Sequence, residues 1–180
     1  MELDQSTAEK LCGICGYCCD GTLFSNVKIS AFDNVPAMLK IGIPIESTND
    51  DHRFAQPCPA RGVQCCKIYA DRPFVCRSFR CKLLIEAESN TTTLATARER
   101  VLEVSTLKRA AIEALQRIEP SALANTSLRE LRSRWSETGD HTTSIEIRKK
   151  YAPVLICMVS LAWYLEQYFY EEPLREKYSP

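Results

Sequence analysis

The stretch Cys12-Gly-Ile-Cys15-Gly-Tyr-Cys18-Cys19 puts four thiols within eight residues, and a second group follows at Cys58, Cys65, Cys66, Cys76 and Cys81. Only Cys157 of the ten cysteines stands apart. Thiols at such spacing bind metals, exchange electrons or pair as disulfides. A CxxC step sets two thiolates on one tight turn, where both reach a single ion at about 2.3 Å from each sulfur. Gly13 and Gly16 suit that turn, because glycine accepts the positive φ that frees backbone amides to donate to sulfur. The adjacent pair Cys18-Cys19 adds a constraint. Neighbouring side chains on an extended segment point apart, so the two serve different metals or different corners of one cluster. Cys65-Cys66 poses the same choice, and of the nine clustered thiols Cys65 has the weakest claim to be a ligand.

Compartment decides between disulfides and metal. The N-terminal residues Met1 to Lys10 are polar and acidic, with neither the basic start nor the apolar run of a secretory signal. The expectation is a reducing, cytoplasmic setting, in which closely spaced cysteines serve as metal ligands or redox groups. The chain holds two histidines, His52 and His141, neither at ligand spacing from the cysteines. Thiolate-only coordination points to zinc, iron-sulfur or Cu(I). Four thiolates around one Zn(II) or one oxidised 4Fe-4S core leave a formal charge of about −2 per site. The second cysteine group carries a counterweight in Arg61, Lys67, Arg72, Arg77, Arg80 and Lys82 against Asp71, in a chain of zero formal net charge. Those cations are matched to thiolates, so no nucleic-acid partner is expected.

The order Cys12-x-x-Cys15-x-x-Cys18-Cys19, Pro57-Cys58, Cys66-x-Ile68-Tyr69-x-x-Arg72-Pro73-x-x-Cys76-Arg77-x-Phe79 resembles the CxxCxxCC proteins, the YkgJ-type cysteine cluster family, over roughly residues 10 to 85. The resemblance implies a zinc- or iron-chelating protein. The same signature occurs in flagellin lysine N-methylases, and through them it implies an iron-sulfur cluster. Carried over position by position, it implies Cys12, Cys15, Cys18, Cys19, Cys58, Cys66 and Cys76 as ligands, with Cys81 as a frequent addition. Cys65 falls outside the pattern. The resemblance brings no defined reaction.

The elements that must position these residues divide by composition. Residues 1–88 hold nine of the ten cysteines and five of the nine prolines and read as irregular, whereas residues 89–180 read as helical. The expected fold is therefore mostly α: an irregular, cysteine-rich, metal-stapled N-terminal half packed on a C-terminal helical bundle, together one compact unit. In the first half, Thr22 to Ile29 alternates as a short strand, Phe32 to Ile41 reads as a helix with Pro36 near its start, and Gly42 and Pro44 end it. Ser47 to Asp51 reads as a polar loop. In the second half, Leu94, Ala97, Val101, Val104, Leu107, Ala111, Leu115 and Ile118 form one apolar stripe, with caps offered by Asn90 to Thr93 and a stop at Pro120. Further helices are expected over Leu128 to Trp135, over Ser144 to Tyr151, and from Pro153 to Tyr170, with a turn at Gly139-Asp140. The last segment is apolar for only about a dozen residues, short of the roughly 20 that span a bilayer. It reads as a buried core helix, with Cys157 a packed hydrophobe and with Tyr164, Tyr168, Phe169 and Tyr170 forming core and rim.

Three functions fit these residues. The first is an iron-sulfur protein, 4Fe-4S in type, used for electron transfer or for cluster-supported modification of a protein or peptide partner. The alternatives are a zinc-stapled interaction module and a metal chaperone or sensor. A centre with four cysteine ligands has no open position for substrate, and one with three does. Neither GxGxxG nor GxxxxGK[ST] occurs, so nucleotide chemistry of those kinds is excluded. Tyr17, Asp20, Tyr69, Asp71, Arg72 and Arg77 are the polar groups nearest the motifs, and packing or support of the ligands is the expected role of Tyr69 and Arg77.

Overall fold

A computed structural model describes residues 6–48, 51–62, 66–120 and 145–170. Contacts divide the chain into two units, Met1–Arg80 and Cys81–Pro180. The composition shift at residue 88 thus falls after this boundary, because the helix that precedes it packs with the second unit. Among the described residues there are six helices and one small sheet, and the protein is mostly α.

The first unit opens with α1 (Thr7–Cys15), started by a reciprocal capping box: the Ser6 hydroxyl accepts the Glu9 amide, and the Glu9 carboxylate accepts the Ser6 amide. Gly16 ends it in the left-handed conformation at φ 66°. Strand β1 (Asn26–Lys28) is the central piece of the alternating stretch expected from the sequence. Helix α2 (Val35–Lys40) starts later than Phe32 because Asn34 caps it, its side chain accepting the Ala37 amide, with proline in the first turn. Of the segment read as a polar loop, Ser47 and Thr48 instead belong to β2 (Glu46–Thr48) and Asp51 to β3 (Asp51–Ala55), while residues 49 and 50 lie outside the described residues. These strands are hard to see in the sequence because polar residues dominate both; in β3 only Phe54 is buried. The sheet order is β1-β3-β2, antiparallel throughout, with Val27 opposite Phe54 and Ser47 opposite His52. Val27, Ile29, Met38, Ile43, Phe54 and Ala60 form the core of this unit, and Cys58, Cys66 and Cys76 pack against it. Helix α3 (Phe74–Ser78) is fastened to the segment before α2, where Asp33 accepts the Phe74 amide at 2.6 Å. Phe79 meets Phe24 edge to face at 4.9 Å.

The second unit contains α4 (Lys82–Glu88), α5 (Leu94–Ile118) and α6 (Ile145–Tyr168). Helices α3 and α4 go beyond the elements expected from the sequence. Each is under two turns or about two turns long, too short for periodicity to register. Helix α5 takes the predicted course: Thr93 caps it through the Thr96 amide, and Ala97, Val101, Val104, Ala111 and Leu115 are buried. Helix α6 departs from expectation. The two helices read on either side of Pro153 are one, running through the proline. An interior proline costs about 3 kcal/mol, since it removes an amide and crowds the preceding turn. The buried residues Val154, Met158, Leu161 and Leu165 on the same helix offset it, at roughly 2 kcal/mol for each side chain. Pro153 itself lies on the exposed side. The segment is also not buried all round, as expected from its sequence: Ile156, Val159 and Trp163 are exposed at 67%, 69% and 52%. Phe169 and Tyr170 are buried, whereas Tyr168 stacks under Arg100 at 4.4 Å and beside Tyr164. Among the described residues no helix is long and apolar enough to cross a membrane. The expected helix at Leu128 to Trp135 and the turn at Gly139-Asp140 lie outside the described residues.

Replacing Thr93 with alanine removes the α5 cap and is expected to lower unfolding free energy by about 1 kcal/mol. Leu102→Ala, at a position 63% exposed on the same helix, is expected to change it by less than about 0.5 kcal/mol. Urea unfolding followed by circular dichroism measures both.

Candidate metal centre

Four stretches of the first unit converge on one group of thiols. Cys12 and Cys15 stand on the last turn of α1, one helical step apart, so the first CxxC is a helix end rather than a loop knuckle. Gly13 accordingly lies inside the helix, and only Gly16 of the two glycines takes positive φ. From Gly16 the chain turns tightly, its carbonyl accepting the amides of Cys19 at 2.9 Å and Asp20 at 3.1 Å. Tyr17 points into the interior at 3% exposure, which gives this candidate polar group a packing role.

Cys58 docks beside that turn, its amide donating to the Cys19 carbonyl at 2.8 Å. The amides of Ala60 and Arg61 donate to the Cys58 sulfur and pull its pKa down, while burial, the stronger influence, pushes it up. Cys66 is held opposite Arg61 by an isolated antiparallel bridge, reinforced by the Lys67 amide on the Ala60 carbonyl at 2.8 Å. Cys76 comes from α3.

These thiols sense one another. Cys19 is pushed up to about 11, first by burial and then by Cys58 and Cys66, with Arg61 pulling the other way. Cys76 is pushed up to about 12, again first by burial and then by Cys19, Cys58 and Cys66, opposed by Arg72.

Two arginines of the six cations counted in the sequence have defined places here. The Arg61 guanidinium lies over Gly16, with its Nε and Nη2 3.1 Å from where a Cβ would stand, and its Nη1 is 3.5 Å from the Asp20 carboxylate. That carboxylate is 4% exposed and also accepts the Thr22 amide and hydroxyl. Gly16 is therefore required twice, for its φ and for the room it leaves to Arg61. The sequence offered Asp20 only as a possible reactive group; its partner Arg61 is forty-one positions away, beyond any local signal. Arg72 stacks on Tyr69 at 3.6 Å and donates to the Tyr69 carbonyl, which fits the supporting role expected of that tyrosine.

The remaining predicted positions are distributed as follows. Cys81 is the first residue of the second unit, at the N-terminus of α4, and its side chain makes no capping bond to that helix. Cys157 is half-buried on α6. His52 lies exposed on β3, 2.8 Å from the Ser47 hydroxyl. Cys65 and His141 lie outside the described residues. Among the described residues, no three His, Cys, Asp or Glu side chains are drawn tightly enough to hold one ion. The donor chemistry of Cys19, Cys58, Cys66 and Cys76 nonetheless fits a thiophilic metal: they are four thiols near enough to influence one another, one already accepting two amides, with guanidinium groups beside them.

The raised thiol values set a pH dependence for the metal-free chain. A thiol whose folded pKa exceeds its unfolded value holds its proton more tightly when folded, so its contribution is present at neutral pH and is lost as pH rises. Stability of the metal-free protein is expected to fall between the ordinary thiol value of 9.0 and about 12. Urea midpoints measured across that range check it, and Cys76→Ser is expected to flatten the decline. No family model, no curated protein and no solved structure matches this chain.

Proposed function

We propose that this chain is a metal-binding protein that holds an iron-sulfur cluster through cysteine thiolates, for electron transfer or for cluster-supported modification of a partner. The observation that carries the reading is that four separate stretches of chain bring thiols to one neighbourhood: Cys58, Cys66 and Cys76 pack on one core, and the Cys58 amide donates to the Cys19 carbonyl. The likeness of the same motifs to the CxxCxxCC proteins supports it. When bound, a thiolate-ligated cluster supplies reversible one-electron chemistry. The chain's own residues supply the rest. Cys58 is pre-set as a ligand by the amides of Ala60 and Arg61, which favour its anionic form. Arg61 and Arg72 lower the cost of charge on Cys19 and Cys76. The apolar core behind Cys58, Cys66 and Cys76 excludes water from one side of the group. In the same reading Cys12, Cys15 and Cys18 belong to a second centre or to further corners of the first, because the side chains of adjacent cysteines such as Cys18 and Cys19 cannot easily share one ion.

Zinc is the second reading, and the size of the first unit favours it. Its helices and strands are all of nine residues or fewer, and its core cluster has six buried residues. Small units of this kind gain folding free energy from a structural metal.

Anaerobic purification followed by iron, sulfide and zinc analysis tests both. Iron with matching sulfide and a brown colour is expected for the native protein. Cys76→Ser and Cys19→Ser are expected to lose most of that iron, and Cys157→Ser to lose none. Stoichiometric zinc without iron overturns the iron-sulfur reading in favour of the zinc one, and a folded protein free of both metals overturns the two together.

A further inference from the structure

Helix α6 (Ile145–Tyr168) carries two apolar seams on opposite faces. Val154, Met158, Leu161 and Leu165 step by four, three and four residues and are buried. A second set steps in the same heptad rhythm two residues out of phase: Lys149, Ala152, Ile156, Val159, Trp163 and Glu166. Two residues are about 200° of helix turn, so this seam faces away from the first. It is open: Ile156, Val159 and Trp163 are 67%, 69% and 52% exposed, Lys149 and Glu166 are exposed, and Ala152 is partly so. A helix apolar on both faces is a buried helix in a globular protein, yet here one face is left to solvent.

The order of residues along the open seam says what covers it. Placed antiparallel to itself about a two-fold axis between Cys157 and Met158, the seam is self-complementary. Ile156 meets Val159 of the other copy, the small Ala152 meets the large Trp163, and the cation Lys149 meets the anion Glu166. Each match occurs twice, as an isologous two-fold interface requires. A parallel arrangement would stack Trp163 on Trp163 and Lys149 on Lys149. The charge pattern, with lysines at one end and a glutamate at the other, therefore favours the antiparallel pairing, which also opposes the two helix dipoles. Lys150, next to Lys149 and exposed, adds to the same basic end.

We infer that α6 is a homodimerisation helix, and that the protein associates with a second copy of itself through an antiparallel pair of α6 helices along the seam Lys149, Ala152, Ile156, Val159, Trp163, Glu166. The inference rests on the second unit alone and is independent of which metal the cysteines hold. A single helix pair buries less than a standard interface, so the expected affinity is micromolar.

Sedimentation equilibrium of the full-length, metal-loaded protein over a range of concentrations tests it. The native chain is expected to be in monomer–dimer equilibrium. Val159→Glu, at an exposed position, is expected to leave helicity and metal content unchanged and to raise the dimer dissociation constant by at least a hundredfold. Lys149→Glu and Glu166→Lys each replace two attractions by two repulsions and are expected to weaken association by about tenfold at low salt. Mixing those two variants restores it, because each supplies the charge the other needs; the antiparallel order is read from the weakening of each variant alone, since parallel helices would already oppose like charges in the native chain. A native chain that stays monomeric at high concentration, a dimer indifferent to Val159→Glu, or variants that fail to rescue each other on mixing overturns the inference.

Discussion

A thiolate in an apolar setting is stable only where a cation or several hydrogen bonds share the charge, and the first unit is organised around that constraint. Cys58, Cys66 and Cys76 pack on the same core that Val27 and Phe54 hold together across the sheet. Burial is the largest influence on Cys19, Cys58 and Cys76 alike, so the metal-free chain keeps them protonated at neutral pH. Arg61 partly answers the constraint. Its position depends on a glycine with no side chain to displace it and on a buried carboxylate that fixes its charge. The chain thus raises the cost of ionising these thiols and at the same time places the amides and guanidinium groups that reduce it. In the function proposed above, a divalent ion or a cluster completes that arrangement.

Much of this was legible in the residues. The two cysteine groups of the sequence do meet, since Cys19 of the first lies near Cys58, Cys66 and Cys76 of the second. The excess of arginine and lysine through the second cysteine group corresponds, at Arg61 and Arg72, to cations that lower thiol pKa values. What could not be read was the pairing of distant parts. Nothing local to Asp20 announces Arg61, and nothing in the Cys12-Gly-Ile-Cys15 step distinguishes a loop knuckle from the last turn of a helix. That distinction was settled by the capping box at Ser6 and Glu9, which starts α1 early enough to carry it through Cys15.

The fold was legible in proportion to the length of its periodic runs. Helix α5, twenty-five residues long, presents its stripe over about seven turns, and its cap and stop lie where the sequence places them. The three-residue strands β1 and β2 and the five-residue helix α3 carry too few turns or alternations for any period to register. Pro153 misled in a different way. Local chemistry says that proline ends a helix, but the packing of four large side chains beyond it outweighs one lost amide. Tertiary structure overrode propensity there because the proline falls on the exposed side, where its ring displaces no neighbour.

Each unit leaves an account open, and the two are of different kinds. In the first, neutral thiols occupy a place suited to thiolates, and in the second, an apolar seam lies in water. Both are costs to the isolated chain, and under the two proposals made above both are removed by association, with a metal in one case and with a second copy in the other. Whatever binds the native state and not the unfolded one shifts folding toward the native state by mass action. On those two proposals the first unit takes its stability from metal supply and the second from protein concentration. A single unfolding free energy for the chain has meaning only when both are stated. The short elements and small core of the first unit make it the more dependent of the two, since little apolar burial remains to hold it once the thiols are left to repel or to stay protonated. The long α5–α6 pair retains its inner seam without a partner and so folds as a helical pair before it associates.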